Sequence, residues 1–197
     1  MNQDLTSGPI GRKLIMFSIP MILGNLFQQV YNIADTLIVG KVLGTEALAA
    51  VGAAYAFMTF LTSIIIGLCM GCGALFSMYY GGKKMKRLKQ SIAMSFAVIA
   101  VIMAVLTSAS VCWLDQIIRL LQVPGEIRGI LRDYLSVILF GMLFTFLYNY
   151  FAFLLRAIGN SVVPLISLAA ASVCNIVLDL LFVIGFQWGP KGAAFAT

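Results

Sequence analysis

The sequence has no histidine, only four cysteines, and charged residues at just 10% of its 197 positions. A soluble domain carries about 25% charged residues, so an ordinary soluble globule is excluded. Without histidine, imidazole metal sites and histidine-based acid–base catalysis are excluded too. Cys69 and Cys72 form a C-x-x-C, but inside an apolar run rather than beside a βαβ pattern. Together with Cys112 and Cys174 they read as small packing residues. No D-D-x-x-D cluster of a metal-dependent prenyl or phosphoryl transferase occurs, and no serine-based triad is recognisable. The chain does not read as an enzyme, and it calls for no cofactor.

What the sequence has in abundance is apolar surface: 61% hydrophobic residues and a mean hydropathy of +1.02. Several apolar runs exceed the roughly 20 residues that cross a bilayer as helix. They predict an all-α, polytopic membrane bundle with spans at about 14–40, 47–80, 91–113, 134–157 and 162–186. The second window is longer than a crossing needs, so its ends are expected to fall inside it. The first is too long and too polar, with Gln28, Gln29, Asn32 and Asp35, for a cleaved signal peptide. A sixth apolar stretch starts near Gly192 and stops at Thr197, so the chain reads as truncated.

Charge is distributed unevenly. Lys83, Lys84, Lys86, Arg87 and Lys89 crowd the connection between spans two and three. Lying between two bilayer-length segments, this run fits the positive-inside rule better than nucleic-acid binding. It predicts a cytoplasmic N-terminus, with the longest connection, residues 114–134, lying outside as one or two short amphipathic helices. Pro20 interrupts the first span and favours a bend. Gly67 and Gly71, extended by Gly73, offer a smooth face for close helix contact.

Two carboxylates lie within spans, Asp35 and Asp179, each one turn after an asparagine, Asn32 and Asn175. Spacings of three and four residues put amide and acid on one helix face. Spans one and five run in the same direction, so both acids sit roughly 7–11 Å below the outer end and can share a cavity. A carboxylate facing lipid costs several kcal/mol and should turn inward to partners; Asn32, Asn175, Thr197 and Tyr134 are the candidates. One reading is a pair of satisfied interhelical hydrogen bonds. The other is a cation-coupled site, since buried carboxylates bind protons near neutral pH and carboxylate, amide and hydroxyl oxygens suit sodium.

At these residues the chain resembles the N-terminal lobe of the multidrug and toxic compound extrusion (MATE) transporters. The resemblance runs through "GPIGRKLIMFSIPMILGNLFQQVYNIADTLIVGKVLGTEALAAVG", "RAIGNSVVP" and "NIVLDLLFVIGFQWGPKGAAFAT". It implies one lobe of a twelve-helix antiporter in a prokaryotic plasma (inner) membrane. Such an antiporter exports amphipathic organic cations in exchange for protons or sodium, and its C-terminal lobe is absent from this sequence. It also implies a cation-coupling network of Asp35, Asn175, Asp179, Thr197 and Tyr134, with Asn149 as a weaker match. Sodium, if that is the ion, would sit at Asp35, Asn175, Asp179 and Thr197. Pro20 matches a proline where the family's first helix bends. Substrate-binding residues are not specified, although the fourth span is rich in aromatic rings that suit cations: Phe140, Phe144, Phe146, Tyr148, Tyr150, Phe151 and Phe153. The alternatives are a lipid-linked oligosaccharide flippase, which would want basic residues inside a span where none occurs, and a scaffold subunit, which leaves both acids unexplained.

Overall fold

A computed structural model describes residues 10–197; Gly8 and Pro9, which open the stretch of resemblance, lie outside them. The described residues form helices and connections, with no strand. Helix α1 (Ile10–Ile38) passes into a π-helical turn (Val39–Leu43), then α2 (Gly44–Gly81) and α3 (Met85–Cys112). A short α4 (Leu114–Leu120) and a 3-10 turn (Gly125–Ile127) lead to α5 (Arg128–Ala157). Helix α6 (Val162–Asp179) runs into a second π-helical turn (Leu180–Gly185), and α7 (Pro190–Ala196) ends the chain.

Among the described residues four helical stretches are long and apolar enough to cross a membrane, and the first covers 71 residues, Gly11–Gly81. At 1.5 Å per residue a straight helix of that length would run roughly 107 Å, against a hydrocarbon core of about 30 Å. It folds back instead. Gly44 takes φ 86° and ψ −177°, a backbone region essentially closed to residues with a Cβ. Leu48 then lies against Gly40, 3.3 Å from where a Cβ on that glycine would stand; along a straight helix the two would be roughly 12 Å apart. The helical segment α2 fills and slightly exceeds its expected window, because a helix satisfies its own backbone beyond the bilayer as well as within it.

Helix α2 lies along α5, with α3 against both, while α1 lies along α6. The apolar core belongs to the first group: Leu61, Ile65, Phe76, Ile99, Leu131, Leu135, Leu139 and Phe146 are all buried there. Tyr150 sits among Phe76, Phe96 and Phe146, its hydroxyl 2.7 Å from the Ile92 carbonyl and 2.8 Å from Ser95 Oγ. Tyr150→Phe is expected to lower the unfolding free energy by about 0.6–1 kcal/mol, the size of a hydrogen bond within a membrane bundle; unfolding by denaturing detergent, followed by circular dichroism, measures it.

In α6 the buried residues are Pro164, Ser172, Asn175 and Asp179, whereas Ile166, Val173 and Val177 are exposed. The helix is polar inward and apolar outward, the pattern of a segment whose outer face meets lipid or a second protein surface. Less than a third of each spanning window is buried within the protein.

Several expectations change on folding. Gly67 and Gly71 face open space, and of this glycine set Gly73 alone meets another helix, at Phe153 of α5. Cys69 is buried, but Cys112 and Cys174 are exposed and do not fill the interior. The connection expected at 114–134 holds α4 and the 3-10 turn, with Leu114, Ile118, Val123 and Ile127 buried along it, and α5 starts six residues before its expected window.

Candidate ion site

Two helix ends and one inward-facing ring build the site. Asp35 is on the last full turn of α1 before the first π-helical turn, and Asp179 is the last residue of α6 before the second. A π-helical turn adds a residue to the hydrogen-bonded loop, which re-aims the chain beyond it. The two π-helical turns also touch each other, with Val39 and Val183 buried to within 1%. This contact, with the packing of α1 along α6, brings the two acids within electrostatic reach of each other.

Tyr134, 5% exposed on α5, is within electrostatic reach of both carboxylates and of Tyr31. Tyr31 was not singled out from the sequence. Its signal was present: it precedes Asp35 by four residues, hence lies on the same face of α1, and it also senses that acid.

Asp179 is 0% exposed. Among the described residues neither of its carboxylate oxygens has a hydrogen-bond partner, nor do Asp35 Oδ1 and Asn175 Oδ1, all of them buried. Four acceptor atoms on three neighbouring side chains are thus out of water with no donor. Leaving a buried carboxylate unpaired costs several kcal/mol, and a bound proton or a small hard cation removes that cost. Asn175 is anchored at its other end, where Nδ2 donates to the Ala196 carbonyl at 3.1 Å. An amide held by its nitrogen presents its oxygen. The donor set is two carboxylates and an amide, all hard oxygen, which suits a proton or sodium rather than a soft transition metal. Among the described residues no three His, Cys, Asp or Glu side chains cluster.

The remaining expected residues are placed differently. Asn32 is half-buried and leaves Asp35 Oδ1 without a bond. Thr197 is exposed, and its hydroxyl donates to Ala193 on its own helix at 3.0 Å. Its neighbour's carbonyl, at Ala196, reaches the site in its stead. Asn149 is not brought to the cluster: it is about four turns, roughly 22 Å, along α5 from Tyr134, and its amide bonds back to Thr145 at 2.8 Å. Pro20 is likewise about four turns down α1 from Asp35. The aromatic residues of α5 divide between core (Phe146, Tyr150) and outward faces (Phe140, Phe144, Phe151), and form no cage around the acids.

A family model described as MatE matches residues 20–181. A Bacillus subtilis protein named "Probable multidrug resistance protein YpnP" is 33% identical over 195 residues, covering 98% of this chain and 44% of the relative. A second from the same organism, "Probable multidrug resistance protein YoeA", is 30% identical over 204 residues, covering 100% and 43%. A solved structure described as the outward-facing conformation of a multidrug resistance MATE family transporter of the MOP superfamily superposes with a TM-score of 0.92 at 27% identity, covering 98% of this chain and 43% of that one. The chain spans less than half the length of these relatives.

Proposed function

This chain belongs to the MatE family of membrane transporters, and from that premise we propose that it forms one lobe of a secondary active multidrug exporter. In this reading the lobe carries the site through which a proton or sodium gradient drives export of amphipathic organic cations. The observation that supports it is the group of buried acceptor oxygens on Asp35, Asn175 and Asp179 that lack a donor. Asp35 and Asp179 hold the charge, Asn175 supplies a neutral oxygen, and Tyr134 closes the site from α5. Binding of one inward-moving cation lowers the charge of the pair from two negative charges to one. Release leaves two carboxylates that favour an arrangement in which water reaches them, and that difference between the two states is what an ion gradient can act on. The second lobe supplies the opposing wall. Thr197 belongs to the proposed network beside the Ala196 carbonyl, and Asn149 would act at a separate depth.

The test is transport in vesicles containing the complete transporter, with a sodium or a proton gradient imposed in turn and efflux of a fluorescent organic cation recorded. One gradient is expected to drive efflux and its collapse to stop it; efflux indifferent to both overturns the proposal.

The proposed membrane is the prokaryotic plasma membrane, with the N-terminus in the cytoplasm. A cysteine introduced between Lys83 and Lys89, in a background without the native thiols, is expected to be shielded from an impermeant thiol reagent in intact cells. One at Glu126 is expected to react. The reverse pattern would invert the orientation and put the ion site near the cytoplasmic face.

A further inference from the structure

Helix α7 is seven residues long, yet it contacts both α5 and α6. Its seat is Gly192, which is buried against the backbone of the second π-helical turn. A Cβ at that position would stand 3.1 Å from Phe182 Cβ, 3.1 Å from the Phe182 carbonyl oxygen and 3.2 Å from its carbonyl carbon. Two of those three atoms are backbone and cannot swing aside. The approach is fixed from the other side as well: Trp188 stacks on Phe182 at 5.0 Å and 11°, and the Trp188 backbone N–H donates to the Phe182 carbonyl at 3.0 Å. Gly192, Ala193, Ala194 and Ala196 are all buried, so small residues let the whole helix lie close.

One turn beyond Gly192 is Ala196, whose carbonyl accepts the Asn175 amide at 3.1 Å. A Cβ on Gly192 forces α7 outward by a few tenths of an ångström, and a bond already at the long end of its range is stretched and weakened by that displacement. Asn175 is then free to turn its nitrogen toward the carboxylates. We infer that Gly192 is a positioning residue for the ion site: its missing side chain seats α7 on the π-helical turn after Asp179, so that the Ala196 carbonyl holds Asn175 with its oxygen presented to the cation. This rests on the proposed role of Asp35, Asn175 and Asp179.

The experiment is a double-mutant cycle in the complete transporter, reconstituted in vesicles. Gly192→Ala, Asn175→Ala and the double variant are compared with the parent for the half-saturating ion concentration of transport. Sodium chloride is titrated against potassium chloride, and a separate pH series is run. Gly192→Ala is expected to raise that concentration about tenfold, as expected when one oriented hydrogen bond to the site is lost, with the rate at saturating ion retained. In the Asn175→Ala background it is expected to add nothing, because residues acting as one unit are non-additive. Equal shifts in both backgrounds, or lower thermal stability with unchanged ion dependence, overturn the inference. Should Gly192→Ala not fold, Trp188→Ala loosens the same seat without adding an atom. It is expected to shift the ion dependence in the same sense, and an unaltered dependence overturns the inference. Asp179→Asn in the same assay separates the two levels. If it abolishes the ion response while Gly192→Ala proves additive, the functional reading stands and this inference falls; if it leaves the response intact, both fall.

Discussion

Asp179→Asn is expected to abolish ion-driven export, to background or at least about a hundredfold below the parent, while the protein still inserts and folds. Asparagine keeps the size of aspartate and a carbonyl oxygen but removes the charge. A neutral amide costs less to bury than a carboxylate, and neither oxygen of Asp179 has a hydrogen bond to lose. Folding therefore has no reason to suffer. Transport does, because Asp35 alone is then left to meet the ion, and a single carboxylate no longer holds it as the pair does. Asp35→Asn is expected to behave alike, and the double variant to be little worse than either single, since the two acids serve one ion. If the acids were only packing partners, the reverse would hold: lower expression or melting temperature with normal activity per folded molecule. Gradient-driven efflux normalised to folded protein distinguishes these, and wild-type rates in both neutral variants would sink the site assignment.

Expressed by itself, the 197-residue chain is expected to confer no detectable export. Alternating access in transporters moves one repeat against another around a central site, and this chain spans 44% of the relative YpnP. Its own structure points the same way: α1 leaves Leu14, Ile15, Ile22, Leu26, Val30, Ile33 and Leu37 exposed along its length. An apolar face of that extent is covered either by lipid or by a second lobe. Drug resistance and vesicle efflux are measured with the chain alone, and its oligomeric state by crosslinking in membranes. Export by a strictly monomeric form would overturn the one-lobe reading. Export accompanied by a crosslinked dimer would show two copies acting as the two halves.

Much of this architecture is legible in the residues. The apolar runs locate the helices because in a bilayer a helix is the one open-ended way to satisfy the backbone, and the run need only be long enough. The acids are conspicuous for the same reason: Asp35 and Asp179 interrupt runs that otherwise contain nothing costly. Matched depth comes from counting residues. Their helix partners cannot be counted out in this way. Asn149 and Asn175 are both amides inside spans, and the spacing to Asp179 already favours Asn175; the packing of α6 against α1 and α7 supplies the bond that holds Asn175 beside the acids, while Asn149 bonds to its own helix.

The membrane class, the helices and the two carboxylates that must turn inward are therefore properties of the residues alone, because they depend on local composition and on the cost of charge in hydrocarbon. The surroundings of those carboxylates are a property of the folded chain. Two π-helical turns set the phase of the chain after Asp35 and Asp179, and each added residue rotates the next segment by about 100°. Tyr134 arrives from a helix far along the chain. The group that fixes Asn175 is a backbone carbonyl at Ala196, which every residue carries and no side chain announces; it becomes specific only because Gly192 lets α7 lie against Phe182.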